Sequence, residues 1–200
     1  MRSKGLLALV VVVLLLGMAG CAGCSAYNRM VEADEMVARA WADLQAQYQR
    51  RANLIPNLVR TVQASANFER ETLEAVTNAR ARATSITLSV EDLSDPEKVR
   101  QFQEAQAQLS SALARLLAVA ENYPQLQTTE AFRDLLVQLE GTENRIAVAR
   151  RDYNEAVRRY NTLVRRFPTV LVASLTGFAP KQPFEAAESA QEAPEVEFDL

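Results

Sequence analysis

An all-α fold is predicted for this chain by three observations. Between Gly23 and Pro168 there is a single glycine, Gly141, and prolines occur only at 56, 96 and 124, so long stretches lack helix-breaking residues. Those stretches are rich in Ala, Leu, Arg, Gln and Glu, which are strong helix formers. Their apolar residues recur at steps of three and four, and no run alternates apolar and polar positions with β-branched enrichment. With 48% hydrophobic residues in 200, one domain with a sizeable core is expected.

The first twenty residues stand apart. Arg2 and Lys4 form a basic start, Leu6 to Leu16 is an unbroken apolar run, and the small residues Gly17, Ala19 and Gly20 lead to Cys21. This is the layout of a secretory signal. The run ends before the roughly 20 residues a spanning helix prefers. Met18-Ala19-Gly20-Cys21 looks like a bacterial lipobox. We therefore expect residues 1–20 to be a lipoprotein signal peptide, Cys21 to carry the lipid, and 21–27 to form a short tether. An uncleaved spanning anchor and lipidation at Cys24 remain open as alternatives. The basic start predicts that the rest faces away from the cytoplasm. Both cysteines lie here, so the body carries no disulfide framework and no thiol chemistry. A multiply acylated cysteine anchors durably where one chain binds only marginally.

Residues 28–176 are expected to form the helical bundle. The first stripe is Met30, Val37, Trp41, Leu44 and Tyr48, and the second is Ile55, Leu58, Val59, Val62, Leu73, Val76 and Ala79. The third is Phe102, Leu109, Leu113, Leu116, Val119 and Tyr123. The fourth and longest runs through Phe132, Leu136, Leu139, Ile146, Ala149, Tyr153, Val157, Tyr160, Val164 and Phe167. Each set falls on one helix face and must be buried against other helices. Ser94 with Glu97 reads as a capping box, with Pro96 in the first turn. Pro124 and Pro168 end the third and fourth helices, because a residue before proline avoids the helical region.

Pro56 admits two readings. Asn53 caps a new helix with Pro56 in its first turn, which gives an antiparallel up-and-down four-helix bundle with long helices. Alternatively Pro56 kinks one very long helix, giving a three-helix, coiled-coil-like rod. The first closes a bundle and is the expectation. Residues 177–200 carry Lys181 against Glu185, Glu188, Glu192, Glu195, Glu197 and Asp199, the composition of an acidic, largely disordered tail. Phe184, Val196 and Phe198 could dock part of it on the bundle.

Chemistry is hard to find. There is no histidine, and no cysteine outside the anchor, which removes His-based acid–base work, triads with a histidine, and the usual zinc sites. No glycine-rich loop can cradle a phosphate. Glu69, Glu71 and Glu74 surround Arg70 and read as a solvated face. A net charge of −3 argues against nucleic acid as a partner. No cofactor, metal or catalytic residue is expected.

One basic group stands out. Arg151, Arg158 and Arg165 recur every seven residues and form a stripe beside the core face of the last long helix. They would either pair with Glu32, Asp34 and Glu35 across the helix interface or meet anionic lipid head groups, since an up-and-down bundle brings that end toward the anchor. Asn154 and Asn161 are also seven apart, beside Tyr153 and Tyr160; solvent-facing amides are the ordinary case there, and buried ones could set register or line a polar pocket.

Two long segments carry a resemblance. Tyr48-Gln49-Arg50-Arg51-Ala52-Asn53-Leu54-Ile55-Pro56-Asn57-Leu58-Val59, and Asn144 to Val157 continuing to Tyr160-Asn161 and Phe167-Pro168, resemble the signature of the LemA family of bacterial membrane-associated proteins. Gly177-Phe178 and Phe184-Glu185-Ala186 are similar to its C-terminal pattern. The resemblance implies an N-terminal membrane segment followed by an up-and-down helical bundle, and it implies no defined activity. This chain departs in one respect: the family's usual anchor looks like a transmembrane helix, and here it ends in a lipobox.

The functional expectation is a non-enzymatic, membrane-anchored scaffold or adaptor of the bacterial cell envelope, on the cell membrane or the outer membrane. Its partners would be the membrane, through the lipid, and other envelope proteins, with self-association also open. The alternative is a module binding lipid or a small apolar ligand in a cavity lined by Trp41, Tyr153 and Tyr160.

Overall fold

The breaker-poor stretches are largely helical, with a non-helical link at residues 86–91. The computed structural model describes the backbone of residues 2–64 and 68–184, and ahead of Gly23 the side chains of Val13, Leu14, Met18 and Cys21 only. Its helices are α1 (Arg2–Gln63), α2 (Arg70–Ser85), α3 (Pro96–Ala120), α4 (Pro124–Gln127), α5 (Glu130–Arg165) and α6 (Thr169–Thr176), with a 3-10 turn at Asp92–Ser94. Among the described residues there is no strand. The protein is all-α, as its composition predicts. The longest contact runs between α1 and α5, α2 lies mainly along α3, and the short α6 rests on both α1 and α5.

The expected helix boundary at Asn53 does not occur. Helix α1 continues through Pro56 to Gln63. A proline has no N–H to give the carbonyl four residues earlier, which here belongs to Ala52. That carbonyl is not left bare: Arg80 of α2 donates its Nε–H to Ala52 O at 2.8 Å. A side chain distant in sequence thus replaces the missing backbone donor, and this lets one long helix form where local rules favour a break. The cap of α3 also differs from expectation. Asp95, not Ser94, accepts from the N–H groups of Glu97 (2.9 Å) and Lys98 (3.3 Å), while Ser94 closes the 3-10 turn. Asp95 directly precedes Pro96 and has the extended backbone of an N-cap (φ −92°, ψ 110°), whereas Ser94 is taken up by the 3-10 turn.

Two apolar clusters form the core. One gathers Met30, Trp41, Leu44, Phe102, Tyr153 and Tyr160, and the other gathers Ile55, Leu58, Val76, Leu113, Leu116 and Phe132. The predicted stripes supply most of it, with Leu88, Leu93, Val99, Leu126 and Phe184 among those added from outside them, and within the stripes one member stays in solvent. Phe167 is the exception, at 74% exposed.

Between the clusters lies Arg51, 1% exposed, on the same stripe as Tyr48 and Ile55. Its Nη1–H groups donate to Ser110 Oγ (2.8 Å) and Glu143 Oε1 (2.9 Å), and Nη2–H to Gln106 Oε1 (2.6 Å). The guanidinium also lies 5.3 Å from the Tyr48 ring centre. A buried charge is tolerated only when paired and hydrogen-bonded, so α1, α3 and α5 must meet here in one register.

The Arg80–Ala52 bond gives a test. Arg80→Ala should cost about 1–3 kcal/mol, the penalty of a buried unmet acceptor. In a Pro56→Ala background the backbone supplies the donor again, and the cost should fall by about 1 kcal/mol. Urea denaturation of the four chains of this cycle measures the difference.

Candidate functional site

The most elaborate polar construction among the described residues is a strap. Residues 177–184, where a disordered tail is expected to start, instead run along α5 and are fixed to it. The reason is local: the acidic residues begin at Glu185, and up to Phe184 the segment holds only one charge, Lys181. Residues 185–200, which carry the acidic character, lie outside the described residues.

Two asparagines make the attachment. Asn161 accepts the Lys181 N–H at 2.8 Å and donates to its carbonyl at 2.7 Å. Asn154 does the same for Phe184, at 2.8 Å for both bonds. A side-chain amide offers the same donor and acceptor as a peptide unit, so each asparagine acts as a one-residue strand partner. The spacing follows from geometry. Seven helical residues rise about 10.5 Å, and three residues of extended chain cover about 10 Å. Asn154 and Asn161 therefore meet residues three apart in the strap.

Tyrosines fill the intervals. Tyr153 donates its hydroxyl to Gln182 O (2.9 Å), Tyr160 to Ala179 O (3.0 Å), and the Gln182 N–H reaches Leu93 O (2.8 Å). Pro180 and Pro183 have no N–H to satisfy. At the far end Phe184 is buried between Trp41, Phe102 and Tyr153, with ring centres 5.4 to 6.2 Å away. It packs against Trp41 and Tyr153, where the alternative reading puts an apolar ligand. Lys181, 6% exposed, forms an ion pair with Asp34 of α1 and lies 5.1 Å from the Tyr160 ring centre. Burial pushes the Tyr160 hydroxyl up to about 12, with the Asp34 charge adding to the shift. Burial alone raises Tyr153 further.

The arginine stripe is exposed and does not reach the acidic start of the bundle. Arg151 pairs with its neighbour Asp152 at 3.7 Å, and Arg158 with Glu155 at 2.6 Å. Asp34, expected to serve these arginines, is taken by Lys181. Arg165 is exposed at the last residue of α5. From Arg151 to Arg165 the helix rises about 21 Å, so only Arg165 and its neighbour Arg166 stand at the end of the bundle. That end also holds Tyr27, whose ring packs against Phe178 at 5.7 Å. Cys21 and Cys24 are exposed on α1. Among the described residues no helix is long and apolar enough to cross a membrane, and the side chains of the Leu6–Leu16 run lie mostly outside that description.

Other grouped charges are solvated. Arg70 and Glu74 pair at 2.8 Å while 90% and 61% exposed, as a surface face does. Among the described residues no cluster of three or more His, Cys, Asp or Glu could hold a metal ion. An open groove of about 610 Å³ lies between α1 and α5, lined by Met36, Ala40 and Val148 with Arg39, Asp43 and Arg145.

The LemA family profile matches residues 40–198. The chain belongs to the LemA family. Magnetosome proteins MamQ 1 and MamQ 2 of Paramagnetospirillum magneticum are each 28% identical to it over 175 residues, covering 80% of this chain and 64% of theirs. Magnetosome protein MamQ of Magnetospirillum gryphiswaldense is 25% identical over 168 residues, 76% of this chain and 62% of that protein. The LemA chain thus spans slightly less than two thirds of the length of these relatives. Sequence reading gave Arg51 and Lys181 no structural role and assigned Asp34 to the arginine stripe. Arg51 carried a signal, since it occupies a core-stripe position between Tyr48 and Ile55. The Lys181–Asp34 pair, 147 residues apart, carried none.

Two outcomes follow for the strap. Replacing Asn154 or Asn161 by alanine leaves two backbone groups unmet and should cost the strap about 1–3 kcal/mol. Amide exchange at Lys181, Gln182 and Phe184 should then quicken by roughly tenfold or more while α2 and α3 keep their protection. The second concerns alkali. The unfolded Tyr160 ionises near 10.0 while the folded one keeps its proton to about 12. Its contribution to stability is therefore full below pH 10 and is lost as pH rises toward 12. Thermal melts at pH 9 and 11.5 should show a smaller alkaline loss in Tyr160→Phe than in the native chain.

Proposed function

We propose that this LemA-family chain is a membrane-anchored, non-enzymatic helical scaffold of the bacterial cell envelope. A lipid on Cys21 holds it, and the bundle faces the extracytoplasmic side. The observation that supports this best is the continuity of α1. From Cys21 to Gln63 it runs without a break into the centre of the bundle, a rod of about 65 Å. Whatever holds the N-terminus therefore orients the whole domain.

In this reading α1, α2, α3 and α5 act as an up-and-down four-helix bundle, and the strap locks its membrane-proximal half. Arg165 meets anionic head groups, while Arg158 and Arg151, progressively farther along α5, remain surface ion pairs. The exposed helical faces and the acidic residues after Phe184 are offered to other envelope proteins or to further copies of the chain. The absence of histidine leaves catalysis without its commonest proton carrier. Relatives named for the magnetosome support a role in an assembled structure. A second reading, a module for a lipid or small apolar ligand, moves from the core, where Phe184 sits, to the open groove between α1 and α5.

Mass spectrometry of the chain from its native membrane, under native and denaturing conditions, tests both. The expected result is a chain starting at Cys21 with added acyl mass that Cys21→Ala lacks, and no second mass lost on denaturation. A full-length, unmodified chain would replace the lipid by a spanning anchor. A non-covalent companion would favour the ligand module.

A further inference from the structure

The exposed large apolar side chains of the bundle are concentrated at one place. Phe167, Val170, Leu171 and Leu175 are 74%, 38%, 57% and 87% exposed, and Tyr27 beside them is 43% exposed. Elsewhere on the bundle, Met36 and Val148 share the α1–α5 groove with Arg39, Asp43 and Arg145, and Val137 stands singly. From Phe167 to Pro180 there is no charged residue. Contiguous apolar surface of this kind marks an interaction site.

The patch is held rigidly. Helix α6 buries Ala173 in the core with Met30 and Val164, and the Phe178 N–H returns to Ala173 O at 3.1 Å. Gly177, at φ +81°, ends the helix in the left-handed region and turns the chain into the strap. One side of α6 is thus fixed to the bundle and the other presents its leucines outward. The patch is bordered by Arg165 and Arg166, both exposed. Arg158 and Arg159 share Glu155, whereas these two pair with no carboxylate among the described residues.

The position names the occupant. The proposed lipid-bearing residue Cys21, exposed on α1, leaves the bundle from this same end. It lies six residues before Tyr27, about 9 Å of helix. An uncharged apolar tip ringed by arginine fits the boundary between acyl chains and anionic head groups. A symmetric contact with a second copy would instead bring the two arginine pairs toward each other.

We propose that Phe167 and α6 form a second, non-covalent membrane contact, inserted in the interface of the bilayer that holds the N-terminus, with Arg165 and Arg166 on its head groups. The proposal rests on the anchoring read above. It makes the bundle stand on the membrane at two points rather than swing from one.

The test uses the full chain in liposomes containing anionic lipid, with flotation to establish anchoring. A tryptophan is added as Leu171→Trp or Leu175→Trp, beside the native Trp41, which is 2% exposed, with Val137→Trp as the distant control. Emission from positions 171 and 175 should shift to the blue and lose most of its intensity in brominated lipid, while position 137 is unchanged. Floating chains with no more quenching at 171 and 175 than at 137 would overturn the proposal and leave the anchor standing. A concentration-dependent blue shift without quenching would assign the tip to a second copy and overturn it too. Chains that do not float would remove the anchoring reading, and the proposal with it.

Discussion

A buried guanidinium sets the terms for this bundle. Arg51 is placed where an apolar residue belongs by periodicity, and removing its charge from water is costly unless every partner is present. Its partners come from α3 (Gln106, Ser110) and α5 (Glu143), so three helices can assemble in one register only. Apolar stripes alone are tolerant: a helix can slide by a turn and still bury leucines. A polar network at the junction of two core clusters removes that freedom.

The strap extends the same logic with neutral groups. Most helical bundles end their chain in solvent, but here an extended segment completes the core, and Phe184 is as much a core residue as Trp41 or Tyr153. Its backbone polar groups are met by Asn154, Asn161, Tyr153 and Tyr160, all from α5, and by the Leu93 carbonyl. The Tyr-Asn pair repeats after seven residues because each tyrosine faces the core and the asparagine one position on faces the groove where the strap lies. Lys181 then ties the strap to α1 through Asp34, so it bridges the two longest helices.

These features give the molecule two unlike ends. The end near Tyr27 gathers the start of the bundle, the close of α5, α6 and the root of the strap. The other end, where α3, α4 and the beginning of α5 meet, is an ordinary helical turn region. A chain with this polarity suits a domain whose orientation matters more than any reactive group.

The chain's own sequence determined the all-α class, the helix-forming stretches, most core positions and the motifs that identify the family. These depend on period, propensity and proline or glycine placement, all of which are local. Tertiary structure alone decided whether Pro56 would break a helix, because the answer lay with Arg80 covering the carbonyl of Ala52, twenty-eight residues before it. It also decided that residues 177–184 are ordered, since their backbone partners come from α5 and from Leu93. Composition reports how much a segment is attracted to water. It does not report whether a groove with matching donors and acceptors waits elsewhere in the fold, and that matching settles the fate of a segment such as Pro180 to Phe184.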